Sequence, residues 1–475
     1  MNTQFSKPVS LSGALRARGN SRARFQFGPG QRACLGELAR TSVLDQPAHT
    51  LSGRSVLLLT VDAFTAAVAL IELDGVARRI VLCPPDFSLD YLGYVVDTAG
   101  VDVILSDHAI DTDHAINGID GRLGRPVDCF QTVAPTVAAT LPAQKPAWET
   151  EWILLTSGTT GRPKLVVHTL ATLCGAIPAA DPASPIVWST FYDIRRYGGL
   201  QILLRSILAG GALILPGPRE PLAQFFARAA EAGVTHISGT PTHWRKALLH
   251  PEASWIEPRA VRLSGEIADQ AILNQMCAFY PQAKVTHAFA STEAGVACEV
   301  SDGLAGLPEE LFDGDGDPAM KVVDGSLRIR SSRTALRYLA PPELPLKDEA
   351  GFVDTGDLLE LRNWRYCFTG RRDGMVNVGG LKVHPEEIEA VINRFPEVQM
   401  SLVRSKKSPI TGALVVAEVV LRTDFERTAG EEAALPQEIL LFCREWLPSY
   451  KVPALVRIVA SLPTTASGKL SRRDA

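Results

Sequence analysis

Cysteine patterns typical of metal sites and of disulfide frameworks are missing from this sequence of 475 residues. Its eight cysteines are scattered, and no two of them have Cys-x-x-Cys spacing. Isolated thiols are typical of a reducing compartment, so we expect a cytoplasmic protein. The cysteines stand at positions 34, 83, 129, 174, 277, 298, 367 and 443.

Long hydrophobic runs and a large excess of charge of one sign are absent as well. The most apolar stretch, residues 202–215, is broken by Arg205 and by glycines and is too short to span a membrane. The net charge is only −4, so composition gives no case for nucleic acid or an anionic membrane as the partner. Hydrophobic residues make up 46% and charged residues 21%, as is usual for a globular enzyme with a large core. The oligomeric state stays open.

Acidic residues are missing from the first 36 positions, where six basic residues and several serines accumulate. This composition overlaps with that of an organelle transit peptide. The stretch lacks a convincing amphipathic apolar face, which favours a basic, partly disordered lead-in over residues 1–40. A targeting role is the alternative.

Strand-like apolar runs alternate with helix-like segments along the first half of the chain. Alternation of this kind predicts an α/β architecture with substantial parallel sheet. Short segments with glycine and proline at 313–345 predict a small β subdomain, and a tail of about 100 residues after 374 predicts a compact α+β domain. The predicted strands are 55–60, 80–83, 101–105, 152–155, 213–215 and 236–238, and the predicted helices are 63–73, 222–232 and a helix beginning near Pro385.

A segment rich in glycine and hydroxyl groups follows the predicted strand 152–155. Residues 156–164 read TSGTTGRPK, and such a loop can present backbone N–H groups, hydroxyls and an ammonium group to phosphate oxygens. The spacing differs from that of the mononucleotide kinases, because the glycines are three apart and Lys164 is followed by Leu165. We predict a phosphate-binding loop.

Four further segments carry polar groups suited to a nucleotide. Residues 289–293 (FASTE) combine an aromatic ring, hydroxyls and a carboxylate that could contact a base, a phosphate and Mg²⁺. Residues 354–358 (DTGDL) form a turn whose carboxylate suits a ribose diol. The other two are 370–383, which contains GRRD and VGGLKV, and 462–470 (LPTTASGKL). Each alone has an ordinary explanation as a turn, a helix cap or a solvated lysine.

The five motifs in this order resemble those of the adenylate-forming superfamily, which comprises acyl-CoA synthetases, adenylation domains of non-ribosomal peptide synthetases, and firefly luciferase. The resemblance covers roughly residues 50–475. It implies that a small-molecule carboxylate attacks the α-phosphate of ATP, giving an acyl-adenylate, and that a thiol then displaces AMP. ATP and Mg²⁺ are implied, with CoA or a phosphopantetheinyl carrier protein as the acceptor.

The resemblance also completes the predicted fold class, which is α/β with α+β elements. It implies a large N-terminal domain at 41–372, built from α/β subdomains and the small β subdomain. A small, mobile C-terminal α+β domain is implied at 374–475, with the hinge at Asp373.

The resemblance implies a role for each matching residue. Phe289 would lie against the adenine, and Asp357 and Arg371 would hold the ribose hydroxyls. Thr292 would contact the α-phosphate and Glu293 would coordinate Mg²⁺. Lys469 would bridge the substrate carboxylate and the α-phosphate, so catalysis would be mostly positioning and charge compensation. The terminal phosphates would be held by Thr156, Ser157, Gly158, Thr159, Thr160, Gly161 and Lys164, and the pantetheine path would be lined by Gly379 and Gly380.

The acyl pocket is less well defined. Amino-acid-activating domains of this superfamily have an aspartate that binds the α-amino group of the substrate. Asp193 has the same chemistry, but it lies some positions earlier in the chain than that aspartate would. Arg195 or Arg196 would favour a substrate with a second carboxylate or with hydrogen-bonding oxygens. Structural ion pairs are an equally good interpretation of both arginines. The resemblance further places Gly265 and Ala290 at this pocket, where Ala290 replaces the usual glycine.

Three functions fit the sequence. The segment 375–380 (MVNVGG) is more like that of CoA ligases, which favours an AMP-forming carboxylate–CoA ligase. The alternative is a free-standing adenylation enzyme that loads an amino or aryl acid onto a carrier protein. A nucleotide-binding protein without chemistry is the third, and the presence of Lys164, Glu293, Asp357 and Lys469 argues against it. The identity of the acid stays open.

Overall fold

The computed structural model describes residues 10–17, 23–110, 127–138, 147–156, 162–177, 185–339, 345–378, 380–408, 412–423, 425, 429–465 and 467–472. By internal contacts the chain forms two compact units. The first unit comprises Met1–Ile237, Ala290–Ala297 and Arg330–Val353, and the second comprises Ser238–Phe289, Cys298–Ile329 and Asp354–Ala475. The predicted boundaries near residues 40 and 373 do not coincide with this division, and they stay predictions.

Strands occur from the first to the last part of the described chain. They are β1 Arg24–Phe27, β2 Gln31–Cys34, β3 Thr41–Ser42, β4 Ser55–Leu59, β5 Arg79–Leu82, β6 Val103–Ser106, β7 Asp128–Gln131, β8 Thr136–Val137, β9 Glu151–Thr156, β10 Lys164–Thr169, β11 Val187–Thr190, β12 Ala212–Leu215, β13 His236–Gly239, β14 Ala260–Ser264, β15 Lys284–Ser291, β16 Gly295–Val300, β17 Leu307–Pro308, β18 Ala319–Val323, β19 Ser326–Arg330, β20 Arg337–Tyr338, β21 Val353–Arg362, β22 Arg365–Arg371, β23 Val376–Val378, β24 Leu381–Val383, β25 Val398–Ser408, β26 Gly412–Leu421 and β27 Leu455–Ile458.

Helices alternate with strands in the first half of the chain, as predicted. They are α1 Leu11–Ala17, α2 Leu35–Leu38, α3 Ala63–Leu73, α4 Leu92–Thr98, α5 Leu170–Cys174, α6 Tyr197–Leu208, α7 Leu222–Glu231, α8 Pro241–Ala247, α9 Gln270–Phe279, α10 Pro385–Ile392 and α11 Ala429–Trp446. Within the described ranges, none of them combines the length and the apolar composition needed to cross a bilayer.

A seven-stranded sheet forms the centre of the first unit in the described residues, in the order β20-β10-β9-β5-β4-β6-β7. Strand β4 pairs in parallel with β5 and β6, and β5 pairs in parallel with β9. Every residue of β4, β5 and β6 is buried, because both faces of the sheet are covered. The prediction of an α/β fold with parallel sheet is confirmed.

The N-terminal segment takes part in the core of the first unit. Leu11 and Leu15 of α1 are buried, and β1 pairs in parallel with β12. The buried carboxylate of Asp74 accepts hydrogen bonds from the Leu11 amide at 2.8 Å and from Trp152 Nε1 at 3.0 Å. For residues 10–17 and 23–40 the expected partly disordered lead-in is therefore wrong, since apolar side chains between the basic residues drive the segment into the core.

The second unit contains the C-terminal domain and residues 313–329 of the predicted small β subdomain, whereas Arg330–Val353 belongs to the first unit. Strands β17, β22, β21, β19 and β18 form a five-stranded sheet in that order. Residues 376–458 have their own apolar cluster, in which Ile388 of α10 and Ile439 of α11 pack against Val403 and Val415. Helix α10 begins at Pro385, as predicted. A large N-terminal and a small C-terminal domain of mixed α/β structure are thus confirmed.

We expect Leu15→Ala to lower the free energy of unfolding by about 2–5 kcal/mol, because it leaves a cavity in a packed core. The same substitution at Leu89, which is 44% exposed, is the control and should cost less than about 0.5 kcal/mol. Urea denaturation of both variants measures the difference. Equal, small losses would contradict the assignment of α1 to the core.

Candidate active site

The predicted phosphate-binding loop lies between two antiparallel strands of the first unit. Lys164 of β10 pairs with Thr156 of β9, so the two ends of the loop lie opposite each other. The side chain of Lys164 is exposed, and its Nζ lies 5.5 Å from the centre of the Tyr338 ring. The loop residues Ser157, Gly158, Thr159, Thr160 and Gly161 lie outside the described residues.

The turn after β15 brings Thr292 and Glu293 to the phosphate loop. Thr156 Oγ1 lies 3.4 Å from Glu293 Oε1, which joins two of the predicted site residues. The turn itself is closed by a hydrogen bond of 2.9 Å from the Ala294 amide to Ser291 Oγ. A second bond of 2.9 Å runs from the Ala335 amide to the Glu293 carbonyl. The carboxylate of Glu293 is therefore carried by a turn with fixed backbone.

A magnesium ion fits this donor set. Mg²⁺ in nucleotide sites takes one or two carboxylates, and the remaining ligands are phosphate oxygens and water. Glu293 supplies a carboxylate and Thr156 a hydroxyl next to it. In the described part of the chain, no group of three or more His, Cys, Asp or Glu side chains is placed to hold a metal ion.

His168 is a residue of this region that the sequence analysis missed. It is fully buried in β10, with Nε2 2.7 Å from the Thr292 carbonyl oxygen and Nδ1 2.9 Å from Thr172 Oγ1. Burial lowers the pKa of His168 to about 4, so the ring is neutral at physiological pH. The only signal in the sequence was a histidine within an apolar strand, which is more often a satisfied core residue.

The second unit carries the residues predicted to bind the nucleoside. Phe289 stacks on Phe368, with ring centres 5.6 Å apart and an interplanar angle of 6°. This support holds one face of Phe289 and fixes its orientation.

Asp357 and Arg371 are opposite each other on the paired strands β21 and β22. Arg371 Nη1 lies 3.8 Å from Asp357 Oδ1. Burial raises the pKa of Asp357 to about 6, and the positive charges of Arg371 and Lys469 act in the opposite direction. A partly buried carboxylate next to a guanidinium group offers the acceptors that vicinal hydroxyls require.

Lys469 lies in a short loop that is tied to residues of the second unit far away in sequence. Thr240 Oγ1 donates to the Gly468 carbonyl at 2.9 Å, and the Leu470 amide donates to Glu266 Oε1 at 3.0 Å. Gly468 has φ of +73°, and a Cβ there would lie 1.8 Å from His243 Nε2, so only glycine fits. A Cβ on Gly265 would meet Lys469 Nζ at 3.8 Å, which places the ammonium group beside Gly265.

The candidate acyl-pocket residues of the first unit are engaged in ion pairs. Asp193 accepts hydrogen bonds from the Arg195 amide at 2.8 Å and from Arg195 Nε at 2.7 Å. Arg195 also donates to the Thr60 carbonyl, and Arg196 pairs with Asp86. These contacts favour the structural interpretation of both arginines. Ala290 packs against the core of the first unit.

The predicted hinge and pantetheine residues are partly described. Asp373 lies in a 3₁₀ turn, Arg372–Gly374, and its Oδ1 is 3.1 Å from Arg371 Nε. Gly380 follows β23 with φ of +88°, and a Cβ there would contact no atom within 4 Å. Gly379 lies outside the described residues. The roles of all three as hinge and thiol path stay predictions.

Two family models match the chain. The model of AMP-binding enzymes matches residues 59–325, which is more than half of the sequence. The chain belongs to the AMP-binding enzyme family. The model of the C-terminal domain of AMP-binding enzymes matches residues 387–469, which includes Lys469. The resemblance to adenylate-forming enzymes is thereby confirmed.

Similar proteins of this family include both CoA ligases and peptide synthetases. A CoA ligase of Rhodococcus jostii for a methyl-dioxo-octahydroindenyl propanoyl group is 28% identical over 339 residues, with 67% of this chain and 63% of that protein covered. Surfactin synthase subunit 1 of Bacillus subtilis is 24% identical over 467 residues, with 90% of this chain and 12% of that protein covered. The chain thus spans less than two thirds of either protein's length.

The solved structures include a close match in fold. The crystal structure of the anthranilate CoA ligase AuaEII in complex with anthranoyl-AMP superimposes with a TM-score of 0.77 and 18% identity. The match covers 98% of this chain and 96% of that one. It confirms the fold of an AMP-binding enzyme over the length of the chain.

The raised pKa of Asp357 predicts that ATP binds more weakly in acid. Above about pH 6 the carboxylate is ionised and accepts hydrogen bonds from ribose hydroxyls, and below this pH it is protonated. We expect Kd for ATP to rise between pH 7.5 and pH 5.5, measured by calorimetry. Asp357→Asn should raise Kd roughly tenfold at pH 7.5 and show a weaker pH dependence. Comparison of the two profiles removes the titration of ATP itself, and identical slopes would contradict the role of Asp357.

Proposed function

We propose that this chain is an ATP-dependent, AMP-forming carboxylate–CoA ligase. The observation that carries the proposal is the placement of Lys469. Its loop forms hydrogen bonds with Thr240 and Glu266. Its ammonium group lies beside Gly265, and its positive charge acts to lower the pKa of Asp357. The Lys469 side chain is exposed, but its loop is fixed against residues more than 200 positions earlier in the chain, which would not be the case for a fraying tail.

In the first half-reaction a substrate carboxylate oxygen bonds to the α-phosphorus of ATP, and pyrophosphate leaves. Two anions approach each other in this step, so positive charge and oriented donors stabilise the transition state. Lys469 would lie between the carboxylate and the α-phosphate, and Thr292 would donate its hydroxyl to the α-phosphate. Asp357 and Phe289 would hold the nucleoside. When bound at Glu293, Mg²⁺ would supply further positive charge to the phosphates.

In the second half-reaction a thiol attacks the acyl carbon, the C–O bond to AMP breaks, and the thiol proton passes to solvent. Positioning is again the main requirement, and no nucleophilic side chain of the chain takes part. Gly380 would line the thiol path, since a glycine there leaves room for an approaching chain. We propose that Asp373 is the hinge between the two half-reactions.

The similar proteins support an acyl-activating enzyme. They are consistent with two acceptors of the acyl group, CoA and a carrier protein. CoA ligases are among these proteins, as is a peptide synthetase subunit. The carboxylate of Asp193 is paired with Arg195, which argues against its binding the α-amino group of an amino-acid substrate. This contact favours the CoA ligase, with the loading of a carrier protein as the second candidate.

A panel of carboxylic acids with ATP and Mg²⁺, with and without CoA, tests the proposal. Mass spectrometry distinguishes acyl-AMP from acyl-CoA. Acyl-CoA from one class of acids would support the ligase and identify its substrate. Acyl-AMP that accumulates in the presence of CoA would favour a carrier protein as the acceptor, and the absence of both products would contradict acyl activation.

Replacement of Lys469 by alanine should affect one half-reaction only. We expect Lys469→Ala to lower the rate of adenylate formation by a factor of about 10² to 10³, because the charge between the two anions is lost. Thioester formation from synthetic acyl-AMP should change less than threefold. Pyrophosphate release and thioester formation measure the two steps separately.

Lys406→Ala is the matched control, since Lys406 is an exposed lysine of the same C-terminal domain. It should leave both half-reactions unchanged. An equal loss in both half-reactions for Lys469→Ala would indicate a folding defect or a different role for the lysine.

A further inference from the structure

The contact of His168 with the Thr292 carbonyl joins a residue without an assigned role to the turn that carries Thr292 and Glu293. His168 is 0% exposed, and its Nε2 lies 2.7 Å from that oxygen. Burying an imidazole ring costs free energy unless both nitrogens have partners. A leucine or valine would fill such a place in β10 without this requirement, and the two preceding residues, Val166 and Val167, are valines.

The direction of the hydrogen bond follows from its partners. A carbonyl oxygen only accepts, so Nε2 of His168 carries the proton and donates to Thr292. In this tautomer Nδ1 is an acceptor, and it lies 2.9 Å from the Thr172 hydroxyl group. Thr172 lies in the first turn of α5, where its Oγ1 accepts from the Thr169 amide at 3.1 Å and lies 3.0 Å from the Thr169 carbonyl oxygen. Its single proton is therefore shared between that oxygen and Nδ1, and the ring is held mainly by its donor bond to Thr292.

The hydrogen bond from His168 holds the Thr292 carbonyl, whereas two other hydrogen bonds of the turn hold the Ala294 amide and the Glu293 carbonyl. Ser291 Oγ holds the Ala294 amide, and the Ala335 amide holds the Glu293 carbonyl. The peptide plane between Thr292 and Glu293 is held at its carbonyl by His168. Because His168 belongs to a buried strand of the central sheet, this bond ties the backbone of the turn to β10. His168 thus fixes the distance from β10 at which the Thr292 and Glu293 side chains leave the backbone.

We propose that His168 is a positioning residue for acyl activation, which holds Thr292 and Glu293 in place through the Thr292 carbonyl. The proposal rests on the proposed function, in which these two side chains contact the α-phosphate and Mg²⁺. It predicts that the hydrogen bond matters for catalysis beyond its contribution to stability. A small misplacement of groups that contact a reacting phosphate lowers rates by up to about 10²-fold.

Two substitutions separate positioning from packing. His168→Leu removes the donor to Thr292, and His168→Gln keeps an N–H donor at a similar reach from the backbone. Tyr280→Phe is the control, because it removes another buried hydrogen bond, 2.6 Å from the phenol to the Ala253 carbonyl, in the second unit and at a residue that is not among the predicted site residues. Thermal unfolding shows whether each variant folds.

The first readout is ATP binding by calorimetry with and without Mg²⁺, which requires no carboxylic acid. The wild type should bind ATP more tightly with Mg²⁺ than without it. The gain is the ratio of the Kd for ATP without Mg²⁺ to the Kd with Mg²⁺. We expect this ratio to fall about tenfold in His168→Leu and to be mostly kept in His168→Gln and Tyr280→Phe. The second readout is adenylate formation with the acid found in the panel, where kcat should fall about 10- to 100-fold for His168→Leu, with partial recovery for His168→Gln.

A crystal structure of His168→Leu should show the Thr292 carbonyl displaced from its wild-type direction. The proposal would be overturned if His168→Leu kept the metal-dependent gain and the kcat of the wild type while losing only stability. It would also be overturned if His168→Gln were as impaired as His168→Leu in a folded protein. Absence of ATP binding in the wild type would instead refute the proposed function, and the inference with it.

Discussion

The pairing of β9 with β5 on one side and with β10 on the other is the constraint on which the first unit depends. Strand β9 pairs with the buried parallel strand β5 on one side and with the antiparallel strand β10 on the other, and the predicted phosphate-binding segment lies between β9 and β10 in the sequence. Trp152 and Ile153 are fully buried on opposite faces of the sheet, so a shift of the register by one residue would force each side chain into the packing of the other face. Thr156, Lys164 and His168 take their positions from this register.

Desolvation has opposite consequences at two residues, His168 of the first unit and Asp357 of the second. It raises the pKa of the Asp357 carboxyl to about 6 and lowers that of the His168 imidazole to about 4, because burial disfavours the charged form of each. For Asp357 the nearby positive charges limit this effect, so the carboxylate is available near neutral pH. For His168 the neutral ring is the functional form, since it has to donate one hydrogen bond and accept another.

The arginines near α6 show that burial of a charged side chain is not enough to infer that it binds a substrate. Arg195 is 3% exposed, and a buried guanidinium group is a good partner for a substrate carboxylate. Its donors instead bind Asp193 and the Thr60 carbonyl. Removal of one member of such a pair leaves an uncompensated charge, so the pair is retained for structural reasons even where it adds little net stability.

The sequence by itself determined the order of the strands and helices in the first half of the chain, the helix beginning at Pro385 and the family. These features depend on local patterns: hydrophobic period, glycine and proline positions, and the order of short motifs. The prediction of a partly disordered N-terminal segment was wrong for residues 10–17 and 23–40, because it was based on the excess of arginines. Leu11 and Leu15 are buried, and their burial depends on contacts with strands and helices that are distant in sequence.

Only the tertiary structure decided which partners the polar side chains have. The contact of His168 with Thr292 spans 124 positions, and that of Glu266 with the Leu470 amide spans 204. No pattern of neighbouring residues encodes such pairs, because hydrogen bonds depend on distances of a few tenths of an ångström between elements packed in three dimensions. The sequence therefore determined which chemical groups the enzyme has, and the packing of its strands and helices decided which of them are charged, paired or held in place.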